Sequence, residues 1–207
     1  MRIGFLDVDG VLNQRGTKER YHGVIGIDPR NVATLNEILD KSESLFGERP
    51  KLVISSTWRK NFSMEGLVKL FAGNGVRGEV IGRTGSHPTG MRGFEIQEWL
   101  EHHAPRDLST GELLVEGIVI LDDGTDMIHL MHKLVQTSCF RGLRGKHVPR
   151  ALKKISEPLL ASNRARIKWE HRGECLRLED VNPIDDSRAQ RFMEMMQALR
   201  IPEREEQ

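Results

Sequence analysis

The sequence predicts an α/β fold in which a mainly parallel, five-stranded sheet is covered by helices. Short apolar runs bounded by turn residues alternate along the 207-residue chain with longer segments in which apolar residues recur at helical spacing. This alternation is typical of parallel sheets, because a helix returns the chain from the end of one strand to the start of the next. The predicted strands are residues 3–6, 52–55, 79–81, 118–121 and 134–136.

Helices are predicted between these strands. The first begins at Asp28-Pro29, because aspartate is a preferred N-cap and proline fits the first helical turn. Further helices are predicted over residues 64–72, 93–103 and 126–133. The predicted apolar face of the first helix consists of Val32, Leu35, Ile38, Leu39 and Leu45.

The chain changes character from about residue 149. A basic amphipathic helix is predicted over residues 149–160, then a β-hairpin over residues 165–181 and a last helix over residues 187–199. We therefore predict a core over residues 1–150 and a C-terminal extension over residues 151–207, which can belong to the same domain or form its own. The basic stretch from Arg141 to Lys154 either touches phosphates or forms a solvated helix face.

The composition excludes several classes of protein. The 31 basic and 30 acidic side chains nearly cancel, which excludes disorder driven by net charge. The same balance argues against binding of nucleic acid through bulk charge alone and leaves local basic patches open. Two cysteines, Cys139 and Cys175, fit a reducing compartment. Acidic residues from position 7 onward exclude an N-terminal signal peptide, and no apolar run approaches the roughly 18 residues of a membrane helix. We expect a cytoplasmic protein without membrane contact; nothing in the sequence specifies an oligomeric state.

Two carboxylates follow the first predicted strand directly. Asp7 and Asp9 stand where open α/β sheets place their ligand sites, beyond the carboxyl end of a strand. One aspartate can attack as a nucleophile while its neighbour two residues on transfers a proton. Gly10 then lets the chain turn sharply. The alternative is a solvated turn, since Asp and Gly are common turn residues.

A second acidic pair, Asp122-Asp123, ends the fourth predicted strand. Adjacent carboxylates repel each other unless a cation or a proton intervenes. If this strand lies beside the first, Asp7 and the pair converge on one point, and such an all-oxygen site suits Mg²⁺. The alternative is that the pair caps a helix that begins near Asp126.

Polar residues also follow the second strand, and an arginine precedes a later helix. Hydroxyl and backbone N–H groups at Ser55 and Ser56 can hold a phosphate, although such residues also serve as caps. The guanidinium of Arg92 can offset phosphate charge through two parallel hydrogen bonds, although a surface arginine is the more common case.

In chain order, these segments resemble the four signature motifs of the haloacid dehalogenase (HAD) superfamily of phosphohydrolases. The resemblance covers about residues 2–155 and implies a Rossmann-like fold with helices on both faces of the sheet. Within the superfamily, LDVDGVLN, VISSTWR, RGFEIQEWL and VILDDGTDM are most similar to the capless HAD domains of Swiss-army-knife RNA repair proteins, and also resemble polynucleotide phosphatases.

The resemblance implies a mechanism and a cofactor. Asp7 would attack phosphorus and form an aspartyl-phosphate, while Asp9 would protonate the leaving oxygen and then activate water. Mg²⁺ would be held by Asp7, by the backbone carbonyl of Asp9 and by the acidic pair, with Asp123 favoured as the direct ligand and Asp122 as its positioning residue, or the reverse.

The resemblance also implies a phosphate site formed by the hydroxyl of Ser55, the N–H of Ser56 and the guanidinium of Arg92. Arginine stands here where many relatives use lysine, which changes the geometry of the phosphate contact. Beside this site, Trp58 can stack on a base and Arg59 can contact a nucleic-acid backbone. The alternative for Trp58 is packing against the sheet.

Superfamily members often carry a cap domain, but neither residues 13–27 nor residues 82–91 are long enough to form one. We therefore expect an open site on a Mg²⁺-dependent phosphomonoesterase, with a nucleotide or the terminal phosphate of an RNA or DNA strand as substrate. One alternative is a phosphatase of a small metabolite or phosphoprotein. Another is a non-catalytic protein that binds nucleic acid or a partner.

Overall fold

Five parallel strands form the central sheet of this computed structural model, which describes residues 1–18, 20–21 and 24–159. The strands are β1 (Arg2–Leu6), β4 (Lys51–Ile54), β5 (Val80–Arg83), β6 (Gly117–Asp122) and β7 (Leu134–Gln136). The strand order is β5-β4-β1-β6-β7, so β1 occupies the centre, and every pairing is parallel. The predicted sheet is confirmed strand by strand, with ends that shift by one or two residues.

A short antiparallel pair interrupts the path from β1 to the first helix. Its strands are β2 (Arg20–Tyr21) and β3 (Val24–Ile25), and they form a separate two-stranded sheet. The sequence indicated only that this segment is too short for a cap domain, because strands of two residues carry no periodic pattern.

Four α-helices of the described residues cover both faces of the central sheet, as the fold prediction requires. The buried side chains of α1 (Pro29–Phe46), α2 (Met64–Gly73) and α4 (Val148–Ser156) share one apolar cluster with Leu6 of β1. Those of α3 (Arg92–His102) lie in a second cluster with Phe5. Because successive residues of a strand point to opposite faces, these two clusters are the two sides of one sheet.

The first helix begins as predicted. Asp28 is its N-cap, and the Asp28 carboxylate accepts a hydrogen bond of 2.9 Å from the backbone N–H of Arg30. One residue of the predicted apolar face is misplaced: Leu45 is 63% exposed. The last turn of α1 presents Phe46 instead, which packs against the core and under the guanidinium of Arg2.

The helix predicted over residues 126–133 is wrong in type and in its start. The structure has a 3₁₀ helix over Ile128–Lys133, between β6 and β7. A 3₁₀ helix rises about 2.0 Å per residue against about 1.5 Å for an α-helix, so it spans this short crossover with fewer residues. Asp126 lies before it and has a different partner, described below.

Predictions beyond residue 159, namely the hairpin, the last helix and Cys175, lie outside the described residues. The helix predicted over residues 149–160 is observed as α4, and Cys139 is a free thiol. The division of the chain at residue 150 stays a prediction. Within the described part of the chain, no helix is long and apolar enough to cross a membrane.

Candidate active site

The candidate site lies at the carboxyl edge of the central sheet, where three polar residues continue three neighbouring strands. Leu6 of β1 pairs with Ile54 of β4 and with Leu121 of β6. The next residue of each strand is therefore in one row across the sheet. That row consists of Ser55, Asp7 and Asp122.

Three carboxylates converge there. One oxygen each of Asp7, Asp122 and Asp123 lies within 4.8 Å of the others, and Asp7 and Asp122 are only 6% and 3% exposed. Burial raises the pKa of Asp7 to about 6, against the lowering effect of Arg92. Burial, reinforced by the charge of Asp7, raises the pKa of Asp122 to about 7, and burial also raises the pKa of Asp123.

Among the described residues, Arg92 is the cation that lies within 4 Å of a carboxylate of this cluster. Oδ1 of Asp122 accepts a hydrogen bond of 2.8 Å from the N–H of Gly124, but the buried Oδ2 has no hydrogen-bond partner within the described residues. Its nearest cation is Nε of Arg92, at 3.6 Å. Three converging carboxylates beside one guanidinium suit an added divalent cation, and an all-oxygen donor set fits Mg²⁺.

Gly10 brings the loop after β1 against Asp123. Its φ of +71° lies in the left-handed region, and a Cβ built on it would lie 2.3 Å from Oδ2 of Asp123. Only glycine permits both this backbone conformation and this approach. The sequence prediction that Gly10 turns the chain is borne out by that φ, but the close approach to Asp123 was not foreseen.

The carboxylate of Asp9 is held outside the three-carboxylate cluster. Its Oδ1 accepts a hydrogen bond of 2.8 Å from Nδ2 of Asn13, and its Oδ2 accepts one of 3.0 Å from Nε1 of Trp58. Asn13 also accepts a hydrogen bond of 2.9 Å from the N–H of Gly10. The side chain of Asp9 is exposed, unlike those of Asp7 and Asp122.

Trp58 has a different role from the predicted contact with a base. Its side chain is 3% exposed, and its ring stacks on Phe62 with centroids 5.5 Å apart. The buried ring offers no open face on which a base could stack. Packing, the alternative that the sequence left open, is what the structure shows, and the indole N–H orients Asp9 in addition.

The two serines after β4 differ in their contacts. The hydroxyl of Ser56 faces Asp7 and lowers the pKa of that carboxyl. Ser56 also accepts a hydrogen bond of 3.4 Å from the N–H of Trp58, as the N-cap of the 3₁₀ helix Thr57–Lys60. The buried hydroxyl of Ser55 has no hydrogen-bond partner among the described residues. Both serines therefore adjoin Asp7, and the hydroxyl contact falls to Ser56.

Arg92 enters the site from the start of α3. Its Nη1 donates a hydrogen bond to the backbone carbonyl of Ser55, and its Nε faces Asp122. The N-terminus of α3 has no cap on its own chain segment; the Asp126 carboxylate accepts a hydrogen bond of 3.0 Å from the N–H of Arg92. Sequence reasoning placed Asp126 at the start of a later helix and missed this contact.

Arg59 is also engaged within the protein, in place of the predicted contact with a nucleic-acid backbone. Its Nη2 donates a hydrogen bond of 2.6 Å to Oε1 of Glu95, and these two side chains are 7% and 6% exposed. Its Nη1 donates to the carbonyl of Ser56 at 3.1 Å. Burial lowers the pKa of Arg59 against the opposing effect of Glu95. The pair joins the loop after β4 to α3, and Glu95 was not predicted.

Comparison with known proteins identifies one family. The family model described as HAD domain in Swiss Army Knife RNA repair proteins matches residues 3–148. The match covers well over half of the chain and includes every site residue described above. No match was found among curated proteins or among solved structures.

Proposed function

The chain belongs to the family of HAD domains found in Swiss Army Knife RNA repair proteins, and we propose that it is a Mg²⁺-dependent phosphomonoesterase. We propose as its substrate the terminal phosphate of a nucleic-acid strand. HAD domains are generally phosphatases or other hydrolases, which agrees with the resemblance seen in the sequence. The observation that carries the proposal is the convergence of Asp7, Asp122 and Asp123 at the carboxyl edge of the sheet.

Asp7 is the nucleophile in this proposal. One carboxylate oxygen attacks phosphorus, the bond from phosphorus to the leaving oxygen breaks, and an aspartyl-phosphate remains on Asp7. Oδ1 accepts a hydrogen bond of 2.8 Å from the N–H of Val8, and Ser56 faces the same carboxyl group. These contacts fix the carboxyl group in one orientation, which lowers the entropic cost of reaching the transition state.

Asp9 is the general acid and base. It gives a proton to the leaving oxygen in the first step, then takes a proton from the water that attacks the aspartyl-phosphate and releases inorganic phosphate. Asn13 and Trp58 hold its two carboxylate oxygens.

The carboxylates of Asp7, Asp122 and Asp123, together with the backbone carbonyl of Asp9, would hold Mg²⁺, which supplies positive charge against the phosphoryl oxygens. Arg92 supplies the protein's own positive charge at the same edge, and its orientation is fixed by the carbonyl of Ser55. The hydroxyl of Ser55, which has no hydrogen-bond partner within the described residues, can donate to a phosphoryl oxygen.

Two observations support a nucleic-acid end as substrate. The matching family is described by RNA repair, and the loops beside the site, residues 13–27 and residues 84–91, are short. A site without a large cap accepts a phosphate at the end of a long chain. A small metabolite phosphate or a phosphoprotein remains the competing substrate class, with the same chemistry.

The test measures phosphate release from oligonucleotides that carry a 3′- or a 5′-phosphate, from a panel of metabolite phosphates and from an aryl phosphate. We expect turnover with Mg²⁺ and none with a chelator. Asp7→Asn should reduce kcat by at least about a thousandfold, because the attacking group is removed. Acid quenching should trap phosphate on the wild-type protein but not on this variant.

Asp40→Asn is the matched control. Asp40 lies on α1 and forms solvent-exposed ion pairs with Arg49 and Arg77, so the same chemical change there should leave turnover intact. Full turnover by Asp7→Asn would refute the assignment of the nucleophile. Absence of turnover by the wild-type protein on every substrate would favour the non-catalytic alternative.

A further inference from the structure

An exposed basic surface lies beside the candidate site and has no part in the proposed chemistry. No acidic residue occurs between Thr137 and Ser156, although the chain as a whole has a net charge of only +1. Within the described part of the chain, the cations of this surface form no ion pair with a carboxylate. We define the basic surface as the exposed residues Arg15, Phe140, Arg141, Arg144, Lys146 and Arg150.

This surface is joined directly to the loop that carries Asp9. The hydroxyl of Thr137 donates a hydrogen bond of 2.7 Å to the carbonyl of Gly10, and the N–H of Leu143 donates one of 2.8 Å to the carbonyl of Val11. Residues 137–143 also follow β7, so they begin at the same carboxyl edge of the sheet as Asp7. The surface and the site therefore form one continuous face.

The backbone beneath the basic surface is fixed by close packing. A Cβ built on Gly142 would lie 2.1 Å from Nδ2 of Asn31, so this turn sits tightly against α1. The N–H of Arg144 donates a hydrogen bond of 3.0 Å to Nδ1 of His147, which is buried. Burial and the nearby charges of Lys146, Arg150 and Arg144 lower the pKa of His147. Among the described residues, no carboxylate offsets the effect of these three charges on His147.

An exposed aromatic ring stands among these cations. Phe140 is 62% exposed, and the guanidinium carbon of Arg15 lies 4.3 Å from its ring centroid. The N–H of Arg15 donates a hydrogen bond of 2.9 Å to the carbonyl of Cys139, which holds the two residues together. A surface that binds single-stranded nucleic acid usually has cations along the path of the phosphate backbone and an aromatic ring on which a base stacks.

We infer that the basic surface binds the single strand whose end occupies the candidate site, with backbone phosphates against Arg15, Arg141 and Arg144 and a base stacked on Phe140. This inference rests on the proposed function, which it extends from the terminal phosphate to the strand behind it. An acidic protein would meet the cations equally well, but a nucleic-acid strand carries a flat base beside every phosphate, whereas a protein carries an aromatic ring at only a few positions. RNA and DNA share the backbone and the bases, so both are included in the test.

The first experiment compares substrates on one variant, Arg141→Glu/Arg144→Glu. The two charge reversals should lower kcat/KM for a phosphorylated RNA or DNA strand of ten nucleotides by at least about tenfold, because each reversal removes one contact with a phosphate. The kcat/KM for an aryl phosphate should stay within about twofold of the wild-type value. The slope of log kcat/KM for the strand against log salt concentration should become shallower by about two.

Lys41→Glu/Lys69→Glu is the matched control, because it changes the net charge equally on exposed residues of α1 and α2. It should leave kcat/KM for the strand unchanged. A second variant, Phe140→Ala, should lower the affinity for the strand by about five- to a hundredfold, while Phe140→Trp retains it. If the substitutions weaken processing and binding of the RNA strand more than of the DNA strand, RNA is the preferred nucleic acid. The reverse result identifies DNA.

The outcomes separate the two proposals. If the Arg141→Glu/Arg144→Glu variant processes strand and aryl phosphate like the wild type, the basic surface is not the strand site, while the proposed function stands. If the wild type shows no turnover at all, the proposed function fails, and fluorescence anisotropy with labelled oligonucleotides still measures binding to the surface. Equal competition by polyglutamate of the same charge would overturn the choice of nucleic acid.

Discussion

Trp58 donates a hydrogen bond of 3.0 Å from its indole Nε1 to Oδ2 of Asp9. The other oxygen of Asp9 accepts from Asn13, so both carboxylate oxygens are bound by uncharged donors from two different loops. Trp58 is itself fixed by its stack on Phe62. The orientation of the proposed acid and base is therefore set by packing beneath the loop after β4.

Replacing Trp58 by phenylalanine should impair proton transfer by Asp9. Trp58→Phe keeps an apolar ring against Phe62 but removes the N–H donor. We expect kcat/KM for an alkyl phosphate to fall by about tenfold, since general acid catalysis typically contributes about 10²–10⁴ and only the orientation is loosened. For nitrophenyl phosphate, whose leaving group needs no proton, kcat/KM should change little. An equal fall for both substrates would mean that Trp58 has only a structural role.

The raised pKa values of Asp7 and Asp122 predict a pH dependence of stability. Both folded-state values, about 6 and about 7, lie above the ordinary value of 3.8, so the folded protein holds protons that the unfolded chain releases. Without metal, the free energy of unfolding should therefore fall as the pH rises from about 4 to about 7. Urea titrations at several pH values, in a chelator, measure this trend.

Mg²⁺ should restore the free energy of unfolding that the protein loses as the pH rises. Metal binding needs ionised carboxylates, so the increase in Tm on adding Mg²⁺ should be small at pH 5 and several degrees at pH 8. Asp122→Asn removes one buried charge while its Oδ1 can still accept from Gly124. This variant should be more stable than the wild type at pH 8 in chelator and should gain less from Mg²⁺. A Tm that ignores Mg²⁺ at pH 8 would argue against the metal site.

Gly10→Ala should damage the site beyond its effect on stability. A Cβ at this position meets the carboxylate of Asp123 at 2.3 Å and also strains a φ of +71°. Gly75→Ala is the control, because Gly75 has a similar φ of +78° with no atom near its Cβ position. Both variants should lose about 1 kcal/mol of stability, but only Gly10→Ala should need a higher Mg²⁺ concentration for half-maximal activity. Parallel Mg²⁺ titrations of activity compare them.

Breaking the buried pair between Arg59 and Glu95 should destabilise the protein. Glu95→Ala leaves the guanidinium of Arg59 buried without its carboxylate, and removing one partner of a buried pair costs roughly 3–5 kcal/mol. The double variant Arg59→Met/Glu95→Leu should recover much of that loss, because no uncompensated charge remains. Urea unfolding of Arg59→Met, of Glu95→Leu and of the double variant measures the coupling. Additive effects in this cycle would show that the pair is not coupled.

The strands and the strand-end acids were predictable because their signals are local. Asp7 and Asp122 each follow an apolar run, and parallel pairing of those runs brings them to one edge. Trp58–Asp9, Arg59–Glu95 and the capping of Arg92 by Asp126 were not predictable, because they join residues 49, 36 and 34 positions apart. No periodicity connects such residues. The loop after β4 packs against the loop after β1 in the first contact, and loops pack against α3 in the other two.

The sequence by itself determined the parallel α/β sheet, the edge at which the acids gather and the family, because each depends on residues within a few positions of one another. Only the tertiary structure decided that Trp58 and Arg59 are buried, since Trp58 packs into the apolar cluster that α1 and α2 share and Arg59 pairs with Glu95 of α3. It likewise decided that residues 137–143 lie against the loop after Asp9, because β7 ends at the same edge as β1.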